Sequence, residues 1–149
     1  MQQLNLPKFD FRLKNESNKT YIFDEIRQKF IVLTPEEWVR QHFIKYLNEH
    51  LHYPASLMNV EGGLKLNGNS YRADLLIYNR NGEPLMLVEF KAASVKISQE
   101  TFQQISRYNM IYRVPYLLVS NGMQHYCCRV NFEKNSFEFL SEIPLYGAL

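Results

Sequence analysis

Asp74, Glu89 and Lys91, two carboxylates and an ammonium, fall where one β-hairpin would set them side by side. Asn81-Gly82 separates the apolar runs YRADLLIYN (71–79) and PLMLVEFK (84–91). Asn-Gly in that setting specifies a two-residue type I′ turn. In the register such a turn sets, Arg80 faces Glu83, Leu76 faces Leu87, Leu75 faces Val88, Asp74 faces Glu89, and Arg72 faces Lys91. Alternation along the strands then gathers Asp74, Glu89, Arg72 and Lys91 on one face. Both faces are apolar over much of their length, as in a central hairpin covered on both sides. Two carboxylates opposed in that position repel, and burial raises the cost. Either this end of the hairpin is exposed and Arg72 and Lys91 neutralise the pair, or the carboxylates share a divalent cation. Mg²⁺ suits the second arrangement, because it takes oxygen ligands and keeps several waters. Lys91 would then stand beside the ion, placed to orient a water or to offset charge on a phosphate.

The elements around this hairpin can be read from caps and periodicity. Residues 1–19 read as irregular, with 15–20 (NESNKT) a loop. TYIFD (20–24) and KFIVL (29–33) are short β-rich runs that suit a hairpin. Thr34 can cap a helix that has Pro35 at its first position and Glu37 three residues after the cap, a capping box. Val39, Phe43, Leu47 and Leu51 recur with helical period, and the helix should end before Pro54. LMNVEGG and LKLNG give short strands before the hairpin. Ser98 opens a second helix running to about residue 112, with Phe102, Ile105 and Asn109 on one stripe. YLLVS, HYCCRVNF and FEFLSEI (137–143) follow as strands. Asn-Gly recurs at 67–68 and 121–122, again between β-like runs. The order predicts an α/β fold, a mixed central β-sheet flanked by helices.

Composition sets the class. A chain of 149 residues is the size of one domain, and we read 1–149 as a single unit. With 46% hydrophobic and 21% charged residues it is neither disordered nor fibrous. No apolar run is long enough to span a membrane, and the start lacks a signal-peptide pattern, so a cytoplasmic protein is expected. A net charge of +2 does not by itself announce a polyanionic partner. Cys127 and Cys128, the only cysteines, are neighbours that a strand points to opposite faces, so they form neither an ordinary disulfide nor a zinc site. His42, His50, His52 and His125 have no metal-site spacing. A P-loop and a dinucleotide fingerprint are both missing, which argues against a nucleotide-driven motor or an oxidoreductase.

Asp74 followed by Glu89-Phe90-Lys91 resembles the D…E-x-K signature of the PD-(D/E)xK nucleases, and Gln104 to Tyr108 (QISRY) is similar to the Q-x-x-x-Y motif of a subset of them. More specifically, the chain resembles the N-terminal nuclease domain of type I restriction enzyme R subunits from about residue 21 to 143. TPEEWVRQ, YRADLLIY, LVEFKA, ISQETFQQISRYN and YLLVSNGMQHYCC all carry the likeness. The resemblance implies a restriction-endonuclease-like α-β-β-β-α-β core and a Mg²⁺-dependent endonuclease acting on DNA, with Mn²⁺ able to substitute. It implies Asp74, Glu89 and the backbone carbonyl of Phe90 as metal ligands and Lys91 as the catalytic lysine. Gln104 would position the lysine or a water, and Tyr108 would contact a phosphate. These nucleases commonly add an acid from the first helix. Glu36 and Glu37 compete for that role, and Glu36 is chosen because it lies on the inward stripe and Glu37 has the capping box. Arg72, Lys96, Arg107 and Arg113 are candidate phosphate contacts. Ala73 stands where many relatives have Pro, and Ala-Ala follows Lys91 where they often have Ala-Pro. These 149 residues hold no motor motif, so further restriction-system subunits or a motor acting in trans are expected partners. A homodimer through the 137–143 strand is a further expectation. The alternatives are a non-catalytic DNA-binding or assembly module with the same fold, and the same chemistry on RNA.

Overall fold

Met86, Leu87 and Val88, and beside them Leu117, Leu118 and Val119, lose all contact with solvent. Runs this apolar on both faces demand cover on both sides, and the fold is arranged around them. The computed structural model describes residues 2–149. Its strands are β1 (Leu13–Glu16), β2 (Lys19–Asp24), β3 (Lys29–Val32), β4 (Met58–Val60), β5 (Gly63–Leu66), β6 (Asn69–Arg72), β7 (Leu75–Tyr78), β8 (Pro84–Phe90), β9 (Tyr116–Ser120), β10 (His125–Asn131) and β11 (Ser136–Phe139). Helix α1 (Pro35–Glu49) follows β3, and α2 (Gln99–Tyr112) lies between β8 and β9. Six strands form the central sheet in the order β11-β10-β9-β8-β7-β4. Among the described residues only β8 and β9 pair in parallel, and a parallel pair needs a crossover, which α2 supplies. The expected mixed sheet flanked by helices is therefore present. No helix among the described residues is long and apolar enough to cross a membrane.

Strand alternation sorts the core into two layers. Met86, Val88 and Phe90 pack with Val39, Phe43 and Leu47 of α1. Leu76, Leu87, Leu117 and Val119 pack with Ile105 of α2 and Leu64 of β5. Cys127 belongs to the first layer and Cys128 to the second; both are buried and free. Burial pushes each thiol up to about 12. The two N-cap residues hold as read. Thr34 Oγ1 accepts from the Glu37 N–H at 3.0 Å, and Ser98 caps α2 through the Thr101 N–H. At the end of α2, Arg113 turns into the left-handed region at φ 57°, and the Asn109 side chain holds both backbone groups of Val114 at 2.8 Å.

Several local expectations need correcting. The turn at Asn81-Gly82 is not type I′, because only Gly82 has positive φ. Asn79 Oδ1 accepts from the Asn81 and Glu83 N–H groups, both at 2.9 Å, which widens the loop. Arg80 and Glu83 do not pair; a bulge at Ile77/Tyr78 absorbs the offset and restores Leu76↔Leu87 and Leu75↔Val88. YRADLLIYN is two strands, broken at Ala73-Asp74, so Arg72 pairs with Gly63 rather than facing Lys91. Within residues 1–19, Leu13–Glu16 is a strand, turned into β2 by Ser17 and Asn18 with φ 51° and 63°. Asn67-Gly68 does make the expected tight turn, whereas at 121–122 the Asn121 side chain builds a longer loop by accepting from Met123 and Gln124. The last strand stops at Phe139.

The small antiparallel sheet β1-β2-β3 docks on α1 through a buried ionic cluster. Asp24 is fully buried and accepts from the Ile26 and Arg27 backbone, from Arg27 Nε at 2.7 Å and from Gln41 Nε2 at 3.0 Å. Glu37 takes bonds from Arg40 Nε at 3.1 Å and Gln41 Nε2 at 3.0 Å, so its carboxylate serves this cluster rather than the capping box. Burial alone would raise the Asp24 pKa; the hydrogen bonds from Arg27 and Gln41 and the Arg27 charge outweigh it and hold the group below its ordinary 3.8. Removing one member of such a cluster strands the others. Asp24→Ala is therefore expected to lower the unfolding free energy by about 3–5 kcal/mol in urea titration. The contribution is complete above pH 3.8 and fades as pH falls through the depressed value, so acid unfolding of Asp24→Asn should be shallower than that of wild type.

Candidate active site

The chemistry-bearing residues meet at the end of β7 and β8 where the two layers of cover part. Asp74 sits in the break before β7. Its backbone is pinned on both sides: the carbonyl accepts from the Glu61 N–H at 2.9 Å and from Arg40 Nη1 at 3.2 Å, and the Ala73 N–H reaches the Gly62 carbonyl at 2.9 Å. Gly62 permits this approach, since a Cβ there would stand 2.9 Å from that of Leu76. The Asp74 carboxylate turns toward β8 and accepts from the Phe90 N–H at 2.7 Å.

Glu89 shares the side of β8 that Leu87 occupies, facing α2 and the β5-β6 hairpin. Its carboxyl lies against that of Asp74. Burial first, then the Asp74 charge, push Glu89 up to about 8, while the Tyr71 hydroxyl and Lys91 pull the other way. Lys91 is exposed just beyond the strand, with its N–H on the Ser120 carbonyl at 2.9 Å. Glu36, at the start of α1, is partly buried near the same group. Burial and the Asp74 charge raise its pKa, and Arg40 and Lys91 lower it. Phe90 buries its ring against Phe43, centroids 5.5 Å apart, which leaves its backbone at the site.

Asp74, Glu89, Lys91 and Glu36 are thus neighbours. Glu37 is turned away into the cluster with Arg27 and Arg40. The Tyr108 ring stacks on that of Tyr71, centroids 4.6 Å apart and planes at 27°. Gln104 is exposed one turn earlier on α2. Of the basic candidates, Lys96 and Arg107 are exposed, Arg72 pairs with Glu61 at 3.6 Å, and Arg113 lies over the Phe132 ring at 4.5 Å.

Tyr71 was not singled out in the sequence, yet its hydroxyl donates to Glu89 Oε1. In an unbroken strand, residues 71 and 74 would point to opposite faces. The break at Ala73-Asp74 removes that parity. Arg40 and Gly62 were missed for a related reason: both act on backbone, which side-chain patterns do not report.

Among the described residues no group of three or more His, Cys, Asp or Glu is gathered tightly enough to hold a metal alone. Asp74 and Glu89 nevertheless fit a divalent ion that keeps water ligands. They are paired oxygen donors whose mutual repulsion a cation relieves, each steadied by one hydrogen bond from the protein.

A family model described as Type I restriction enzyme R protein N terminus (HSDR_N) matches residues 35–144. No curated protein sequence matches the chain. Among solved structures, the chain is similar to a fragment assigned to an HsdR subunit of a type I restriction enzyme from Vibrio vulnificus YJ016. The identity is 21% and the TM-score 0.52, over 75% of this chain and 24% of that one. It is also similar to a DUF820 protein from Anabaena variabilis assigned as a nuclease, at 12% identity and TM-score 0.51, over 90% of this chain and 86% of that one. Both likenesses are of fold, and this chain spans about a quarter of the HsdR fragment.

The Asp74 contacts separate charge from hydrogen bonding. Asp74→Asn keeps an acceptor for the Phe90 N–H and removes the charge that opposes ionised Glu89, so above pH 8 the metal-free melting temperature should hold or rise. Asp74→Ala leaves that N–H without its partner and should cost about 1–3 kcal/mol. Because folding favours protonated Glu89, metal-free stability should decline as pH rises from its ordinary 4.5 through about 8. Glu89→Gln should flatten that decline in thermal melts across the same range.

Proposed function

The chain belongs to the family of type I restriction enzyme R protein N termini, and on that premise we propose that it is a divalent-metal-dependent endonuclease domain that hydrolyses DNA phosphodiester bonds. The observation that carries the reading is the half-buried contact between the Asp74 and Glu89 carboxyls, with Lys91 and Glu36 beside it. Mutual repulsion of two adjacent carboxylates opposes folding, and a bound cation relieves it. Asp74, Glu89 and the Phe90 carbonyl would hold Mg²⁺, with Mn²⁺ able to replace it. Such an ion supplies Lewis-acid polarisation of a phosphate oxygen and lowers the pKa of a bound water.

The chain's own residues have distinct tasks. Asp74 and Glu89 present fixed oxygens and draw positive charge to the end of the sheet. Lys91, exposed just past the end of β8, offsets negative charge that develops on the phosphate during in-line attack. Glu36, held partly buried beside Asp74, is suited to accept a hydrogen bond from an attacking water. Of the four basic candidates, Lys96 and Arg107 are exposed without an ion-pair partner among the described residues and are suited to meet the phosphate backbone, so binding should weaken steeply with salt. Arg72 and Arg113 already have partners and rank behind them. Gln104, on the same helix, would reach the site once substrate is present. ATP-driven translocation, where it accompanies cleavage, would come from a motor outside these residues.

Calorimetric titration with Mg²⁺ and Mn²⁺ tests the site directly: Glu89→Ala should abolish binding that wild type shows. In a plasmid-cleavage assay Lys91→Ala should lose cleavage while still binding metal. A wild type that binds DNA but neither metal nor cuts, even with a short duplex present in the titration, would instead be a non-catalytic module of the same fold. Parallel assays on RNA decide the polymer.

A further inference from the structure

The hairpin β5-β6 brings Tyr71 over the end of β8. Its hydroxyl donates to Glu89 Oε1, and its ring is held from α2 by a stack with Tyr108, centroids 4.6 Å apart, and by Tyr112 at 6.3 Å. Tyr108 is itself 41% exposed, and its ring stacks on that of Tyr71. A glutamate has three side-chain torsions, and the Asp74 charge drives its carboxylate away from the place a shared ion would occupy. A donor fixed on Oε1 opposes that motion. The donor is useful only if its own ring cannot swing, and the stack against α2 prevents it.

We propose that Tyr71 is a positioning residue that fixes the Glu89 carboxylate, and that Tyr108 acts on the site through Tyr71 by ring contact rather than through its own hydroxyl. This assigns the tyrosine of the Q-x-x-x-Y segment a different task from phosphate contact. The inference rests on the proposed function in one respect, that Glu89 ligates the metal.

Two measurements separate the inference from that reading. In the metal-free protein, a Tyr hydroxyl held by a carboxylate should give a slowly exchanging downfield proton resonance. Tyr71→Phe should remove it, Glu89→Gln should move it, Tyr108→Ala should broaden it, and Tyr108→Phe should leave it in place. In Mn²⁺ calorimetry, Tyr71→Phe should weaken binding 10–100-fold, the usual consequence of losing a partner that orients a ligand. Tyr108→Phe should bind within about twofold of wild type, Tyr108→Ala should fall between the two, and adding Tyr108→Ala to Tyr71→Phe should cost little more. Thermal melts confirm that each variant is folded.

A Tyr71→Phe variant that binds Mn²⁺ like wild type overturns the positioning role. A Tyr108→Phe variant as weak as Tyr108→Ala overturns the ring-contact route and returns the tyrosine to direct action. If wild type binds no Mn²⁺ even with a short duplex present, the functional reading falls, and the hydroxyl resonance and its response to the Tyr108 variants still decide whether Tyr71 holds Glu89.

Discussion

The pairing register of β7 with β8 is the constraint on which the rest hangs. Leu75↔Val88 and Leu76↔Leu87 bring Asp74, just before β7, beside Glu89, the last residue but one of β8. Hydrophobicity alone fixes this register weakly, because both faces of both strands are apolar and a slip would still bury apolar groups. Polar contacts supply the specificity. The Asn79 side chain closes the loop at one end, the Phe90 N–H binds Asp74 at the other, and β9 locks β8 from its far edge. The bond that steadies the register therefore uses a carboxylate of the candidate site, so the site takes part in specifying the fold that displays it.

Much of this was legible in the chain. Thr34-Pro35 and Ser98 marked the two helix starts, and the apolar runs marked the central strands, because caps and burial act locally. The register of the key hairpin was read from a turn that does not form. It survived because the wider loop contributes an offset that the bulge at Ile77/Tyr78 cancels before the core begins. The strand Leu13–Glu16 was not legible. All four of its residues are exposed, so no alternation announces it, and pairing with β2 alone defines it.

The site divides along the same line. Asp74, Glu89 and Lys91 could be brought together from spacing because a hairpin relates them by simple geometry. Stripe and cap favoured Glu36 over Glu37 for reasons the fold does not keep, since Glu37 is the more buried and its carboxylate leaves the cap; their partners tell them apart. Arg27 comes from the β2-β3 turn, far from both in pattern, and its cluster claims Glu37 and leaves Glu36 facing Asp74. Tyr71 needed the break at Ala73-Asp74, which no residue type there signals. Motif spacing thus found the groups on the central hairpin, while the groups that orient them lie on elements whose approach only tertiary packing sets.

The adjacent cysteines carry a separate consequence. A single peptide unit places one thiol in each layer, Cys127 under α1 and Cys128 under α2, and burial keeps both in the unreactive protonated form. Loosening of either layer would uncover one sulfur and leave its neighbour shielded. The protein therefore holds a built-in pair of labels, equal in chemistry and position along the chain, whose relative alkylation rates report which half of the molecule opens first.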